Sequence, residues 1–263
     1  MQSTTPKRFI VRVFATLELE GTTAVVYLCD KTLSSKDMQT IAHREAAPAT
    51  CFINQQSTNQ FHIRFYNTTK EIQLCGHGLL ASAKVVGEVK GIASFKFQTQ
   101  DTVIQARYSS QHKEVEIAFS ELISVAVSPP AWVNSCFSIT PNSVFQAGSN
   151  NGYWVMEWPQ ASVLQDLEVK TKALIEHTQR AVIATQQSDD EQYDYNFRYF
   201  APQHGVIEDK ATGSAHRVLM SYWHQRLNKC NFKARQYSKE GAELTGRIEN
   251  GDVWISGNVD IQR

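Results

Sequence analysis

Two glycine turns constrain this chain more than any other feature. Cys75-Gly76-His77-Gly78 and Thr212-Gly213-Ser214-Ala215 each lead straight into an apolar helical pattern, far apart in the sequence. The first follows the alternating stretch Glu71-Ile72-Gln73-Leu74 and the second the loop Ile207-Glu208-Asp209-Lys210-Ala211, so each predicts a glycine turn feeding a helix start. A helix N-terminus carries unpaired backbone N–H groups and partial positive charge, and glycine lets an anion approach them closely. Two such ends facing each other would grip one small carboxylate, with His77 and Asp209 beside it.

The surroundings of the turns also repeat. Phe9 to Phe14, Ala24 to Leu28 and Phe61 to Tyr66 alternate as strands do. Ser34-Ser35-Lys36-Asp37 has the pattern of a capping box, followed by Met38, Ile41 and Ala42 at helical spacing until Pro48 interrupts. Leu79 to Val86 is apolar on nearly every side, which predicts a helix enclosed by sheet. In the second half, strands through Val144 to Ala147 and Tyr153 to Met156 precede a helical stretch near Ser162 to Ile175 and then the second turn. Val218, Leu219, Tyr222, Trp223 and Leu227 form one stripe on the helix that turn opens. The tail, punctuated by Gly241, Gly246, Gly251 and Gly257, reads as closing hairpins. Ser128-Pro129-Pro130 marks the expected boundary between domains 1–127 and 128–263.

Composition narrows the partners. Lys+Arg and Asp+Glu both number 26 and no basic stripe appears, so a small molecule is expected and not a nucleic acid. No run approaches the roughly 18 apolar residues of a membrane span, and Met1 to Arg8 lacks the apolar stretch of a secretory signal, which predicts a cytoplasmic protein off the membrane. Cys29, Cys51, Cys75, Cys136 and Cys230 are odd in number and contain no Cys-x-x-Cys, against both a disulfide framework and a thiolate metal site.

At Arg64-Phe65-Tyr66, Glu71 and Leu74-Cys75-Gly76-His77, and again at Glu208 to His216 with Tyr222-Trp223, the chain resembles the PhzF phenazine-biosynthesis-like family, which shares its fold with diaminopimelate epimerase and proline racemase. Val13-Phe14, Ala234-Arg235-Gln236 and Gly241 to Leu244 extend the resemblance over essentially the whole chain. It implies an α+β fold of two pseudo-symmetric domains, each a rolled, mostly antiparallel sheet around a central helix, with the active site in the cleft between them. It also implies catalysis without metal or organic cofactor, and a homodimer.

The resemblance breaks where the family's chemistry sits. Its proton-moving glutamate lies in a Ser-Glu-Thr-like triplet, and Pro48-Ala49-Thr50 stands there, so Ala49 replaces the carboxylate. The family's Gly-Asn-Pro element reads Gly21-Thr22-Thr23. General acid–base groups are typically worth 10²–10⁴-fold in rate, so the usual isomerisation is expected to be slow or carried by other groups. The candidates are His77, Asp209 and Cys75, with Gly76, Gly78, Gly213 and Ser214 holding the substrate. Each also has a structural reading: Asp209 as a turn former, His77 and Cys75 as packing, Ser214 as a helix cap. Glu45, near a helix C-terminus, is the weaker substitute carboxylate. Two functions follow from this resemblance: a cofactor-independent isomerase or epimerase of a small carboxylate metabolite, or an inactive homologue that binds small anions.

Overall fold

A computed structural model describes residues 6–159 and 162–262, apart from the side chains of 162 and 163; the first five residues of the N-terminal stretch lie outside them. The chain forms two compact units, 1–119 with 254–263 and 120–253. The expected boundary at Ser128-Pro129-Pro130 differs from this division, and the tail closes on the first unit through contacts that no local pattern announces.

The first unit begins with β1 (Lys7–Val13), β2 (Thr22–Cys29), α1 (Ser35–Glu45), β3 (Ala49–Ser57), β4 (Gln60–Tyr66) and β5 (Glu71–Ile72). It continues through α2 (Gly76–Lys90), β6 (Ser94–Gln98), β7 (Val103–Ser109) and β8 (Glu114–Ser120). The second unit holds β9 (Ser124–Ala126), α3 (Val133–Cys136), β10 (Ser143–Ala147), β11 (Tyr153–Glu157), α4 (Ser162–Gln165), α5 (Thr171–His177), β12 (Ala181–Gln187) and β13 (Tyr195–Phe200). Then come α6 (Gly213–Leu227), β14 (Asn231–Gln236) and β15 (Ala242–Glu249); β16 (Asp252–Ser256) crosses back to the first unit at Trp254, and β17 (Val259–Gln262) lies in the first unit.

Strand pairing makes the duplication plain. β1–β2, β3–β4 and β6–β7 are antiparallel while β2–β3 and β4–β6 are parallel. In the same order, β10–β11, β12–β13 and β14–β15 are antiparallel while β11–β12 and β13–β14 are parallel. β17 pairs antiparallel with β1 as β9 does with β10. The mostly antiparallel α+β architecture expected from the sequence is the one formed.

The two halves bury equivalent helices. In α2 every residue from Gly78 to Gly87 is buried, and the C-cap Gly91 takes a left-handed conformation. Buried Lys84 is tolerated there because its Nζ donates to the Lys113 carbonyl and pairs with Glu88 at 3.0 Å, so the charge has partners. Of the expected α6 stripe, Val218, Leu219, Tyr222 and Trp223 are buried, each side chain contributing about 1.5–3 kcal/mol by leaving water, while Leu227 at the helix's end is half-buried; Met220 and Ser221 are buried too, so the burial is wider than one stripe. Successive strand residues face opposite sides, so β3 sends Phe52 to a cluster with Met38 and Ala42 of α1, and Cys51 to α2. Ala49 shares the Cys51 face.

Local signals set the helix ends. Ser34 accepts the Asp37 N–H at 3.1 Å as the N-cap of α1, and Ala46, left-handed at φ 51°, ends it before Pro48 is reached. The helical stretch expected from Ser162 to Ile175 is two short helices, α4 and α5, with a break between them. Gly21 has φ +62°, and a side-chain carbon there would lie 2.3 Å from the Val13 carbonyl oxygen, so this position needs glycine for the backbone alone.

Candidate active site

Both glycine turns open helices as predicted. Gly76 is the first residue of α2 and Gly213 the first of α6; their N-caps are Cys75 and Thr212. Neither cap makes a side-chain hydrogen bond into its helix, and neither first turn carries an acidic residue. The first-turn amides of both helices therefore lack the side-chain acceptor that a capping residue or an acid would supply. Ser214 is the second residue of α6, which corrects its reading as a cap and leaves its half-buried hydroxyl beside the turn.

In the first unit the turn gathers sulfur and imidazole. Cys75 Sγ lies 3.6 Å from each ring nitrogen of His77, within reach of a sulfur hydrogen bond. Cys51 Sγ lies 3.6 Å from the Gly78 carbonyl oxygen. A side-chain carbon on Gly78 would come 2.8 Å from Cys51 Sγ and 3.2 Å from the Phe65 ring, so glycine is required here by close packing. Burial, with Cys75 adding to it, pushes the Cys51 thiol well above its ordinary range. Ala49 is completely buried at the head of β3, opposite Ala24 of β2. Its topological counterpart in the second unit, heading β12 opposite Tyr153, is also alanine, Ala181.

In the second unit the turn is built by hydrogen bonds. Asp209 accepts from the Lys210 N–H at 3.0 Å and from the Thr212 hydroxyl at 2.6 Å, which is the work of a turn former. Buried Gln236 accepts the Thr212 N–H at 2.7 Å and donates to the Asp209 carbonyl at 2.7 Å and to Thr212 Oγ1 at 3.1 Å. Gln236 therefore fixes the turn from β14. Tyr199 accepts the Asp209 N–H through its carbonyl, and its ring lies 6.5 Å from that of Tyr153.

A pair of ion bridges anchors both turns. Glu71 stands five residues before Gly76 and Glu208 five before Gly213. Arg64 of β4 grips Glu71 with two bonds of 2.7 and 2.6 Å, and Arg198 of β13 grips Glu208 with two of 2.7 and 3.0 Å. Each arginine also reaches the layer covering the sheet: Arg64 donates to Ser35 at the start of α1, and Arg198 to the Leu164 carbonyl in α4 and the Leu167 carbonyl just after it. Arg64 holds the Glu71 carboxyl below its usual range. The equal spacing of the two glutamates was the available sequence signal, but Arg198 and Gln236 carry no local mark of a site.

Glu45 is removed from the proton-moving candidates. Arg8 binds it through bonds of 2.8 and 2.6 Å and Tyr27 donates to it at 2.5 Å, so its carboxyl is held below the usual range. A carboxylate so engaged is a structural tie between β1, β2 and α1.

The sequence profile of phenazine biosynthesis-like proteins (PhzC-PhzF) matches residues 11–259. The chain belongs to this family. An uncharacterized isomerase of Pseudomonas aeruginosa is 31% identical, the match covering 95% of this chain and 93% of that protein. An uncharacterized isomerase of Halalkalibacterium halodurans is 28% identical over 95% of this chain and 94% of its own. The crystal structure of a PhzF-family protein from Enterococcus faecalis superposes with a TM-score of 0.87 at 23% identity, covering 98% of this chain and 97% of that one. Among the described residues no cluster of side chains suits a metal ion, and no helix is long and apolar enough to cross a membrane.

Proposed function

We propose that this protein is a cofactor-independent isomerase or epimerase that moves a proton on a small carboxylate-bearing metabolite, without the family's glutamate. The observation carrying the reading is the contact of Cys75 and His77 at an uncapped helix N-terminus. Amides at such an end favour a carboxylate, and stabilise the enolate-like charge that grows when a proton leaves its α-carbon. Gly76 and Gly78 are assigned to holding a carboxylate at the first turn, and Gly213 and Ser214 to holding one at the second. A thiol and an imidazole in contact can exchange a proton between them, which gives Cys75 and His77 the means to replace the missing acid–base group. Asp209 is the third candidate, and its engagement with Thr212 makes it the more structural of the three.

Incubation with a panel of cyclic and amino carboxylates in deuterated solvent, read by mass spectrometry, tests the reading. Solvent deuterium is expected at one carbon of a substrate, and His77→Asn is expected to slow its entry by about 10²-fold or more. No incorporation across the panel, or a rate untouched by His77→Asn, would count against it. Ala49, fully buried where the family has its glutamate, favours a second reading as an anion-binding homologue that has lost turnover. Ala49→Glu separates the two: exchange that appears only in the variant supports the inactive homologue.

A further inference from the structure

The thiols of Cys51 on β3 and Cys75 at the first turn both reach Gly78. A side-chain carbon built there would lie 2.8 Å from Cys51 Sγ and 3.1 Å from Cys75 Sγ, so the sulfurs are no farther apart than those two lengths laid end to end. Both cysteines are free and buried, one on β3 and the other at the N-cap of α2, where the backbone is extended at φ −136° and ψ 105°. A disulfide requires sulfurs about 2.05 Å apart. Closing that gap takes rotation of both side chains and movement of the turn.

We propose that Cys51 and Cys75 form a reversible oxidation site, converted to a disulfide by hydrogen peroxide. His77, in contact with Cys75 Sγ, accepts the Cys75 proton. The Cys75 sulfur then attacks peroxide: an S–O bond forms, the O–O bond breaks, and the departing hydroxide takes the proton from His77 and leaves as water. Sulfur has lost two electrons and peroxide has gained them, giving a sulfenic acid at Cys75. The Cys51 sulfur next attacks that sulfur. The S–S bond forms as the S–O bond breaks, and hydroxide leaves with the Cys51 proton as a second water. The order follows from surroundings: Cys75 has the imidazole, whereas Cys51 is wholly enclosed and serves as the resolving thiol. A dithiol reverses the bond by exchange. The closed form ties β3 to the mouth of α2 and takes the sulfur partner from His77. None of this depends on the proton-transfer reading, because the geometry lies within the first unit.

The test uses the full chain carrying Cys230→Ser, which removes the exposed thiol. After treatment with stoichiometric hydrogen peroxide, digestion without reductant and mass spectrometry should find the Cys51 and Cys75 peptides joined and lighter by two hydrogens. Dithiothreitol should abolish that species. Cys51→Ser in the same background should show no joined peptide and instead a dimedone adduct on Cys75. Recovery of Cys75 unmodified or as sulfinic acid, with no joined peptide, overturns the proposal. So does a folded Cys51→Ser protein, matched to the parent by circular dichroism, whose Cys75 takes up no dimedone under oxidation.

Discussion

His216 offers a quantitative test of how the second unit is packed. It is completely buried on α6, and its Nδ1 shares a hydrogen bond of 2.7 Å with the hydroxyl of Tyr195, itself completely buried. Burial disfavours the imidazolium and pushes His216 down from the ordinary 6.5 to about 3. Between those values the unfolded chain binds a proton that the folded chain refuses, so stability falls as pH drops through that window and is unaffected above it. Each pH unit inside the window is worth about 1.4 kcal/mol, so acidification from pH 6.5 to pH 5 should remove about 2 kcal/mol through this side chain alone. The assay is urea unfolding followed by tryptophan fluorescence. Trp132, Trp154, Trp158 and Trp223 lie in the second unit, and Trp223 stacks on Tyr195 with ring centroids 5.7 Å apart. His216→Asn keeps a polar atom for Tyr195 but has no proton to gain. The parent should lose about 2 kcal/mol more than this variant over that pH range, because the other histidines titrate alike in both. Parallel curves for the two proteins would refute the reasoning and mean that the imidazole charges freely in the fold.

The anchors of the two turns should be comparable in weight. Arg64→Ala and Arg198→Ala each remove a bidentate, partly buried ion pair and are expected to cost about 1–3 kcal/mol by denaturant unfolding. A cost near that of an exposed pair, below about 0.5 kcal/mol, would show that the bridges do not hold the turns. Gly78→Ala should destabilise by about 1–3 kcal/mol through overpacking against Cys51 and Phe65, and a variant of unchanged midpoint would disprove the close contact. Gly21→Ala should cost more than Gly78→Ala in the same measurement, since it meets the Val13 carbonyl with a positive φ as well. The reverse order would show that the sulfurs, not the backbone, are the less yielding neighbours.

Much of this architecture was legible because it is written in short-range patterns. Alternation gave β1, β2, β4, β10 and β11, the Ser34 cap gave the start of α1, and the glycine turns gave the starts of α2 and α6. Gly76, Gly78 and Gly213 were read as parts of turns from residues within one helical turn of each other, and they are found there. The limits are equally specific. Ser214 was open to reading as a cap because its residue type suits one, but the cap is decided by backbone conformation at Thr212. The helical run from Ser162 to Ile175 breaks where 168–170 bind a segment thirty residues earlier: Val169 bridges to Phe137, the Lys170 N–H binds the Cys136 carbonyl and the Glu168 carbonyl accepts the Ser138 N–H, partners that no local pattern announces.

The sequence by itself determined strands such as β1, β2, β4, β10 and β11, the two glycine turns and the order that repeats between the halves, since each is settled by neighbours a few residues apart. Only the tertiary structure decided that Ile261 pairs with Val11, that Arg198 and Gln236 hold the second turn, and that Cys51 and Cys75 both pack against Gly78. Those partners are distant in the chain, and no local preference distinguishes the correct one. Packing does so, by leaving room at Gly78 for two sulfurs and at Thr212 for one buried amide.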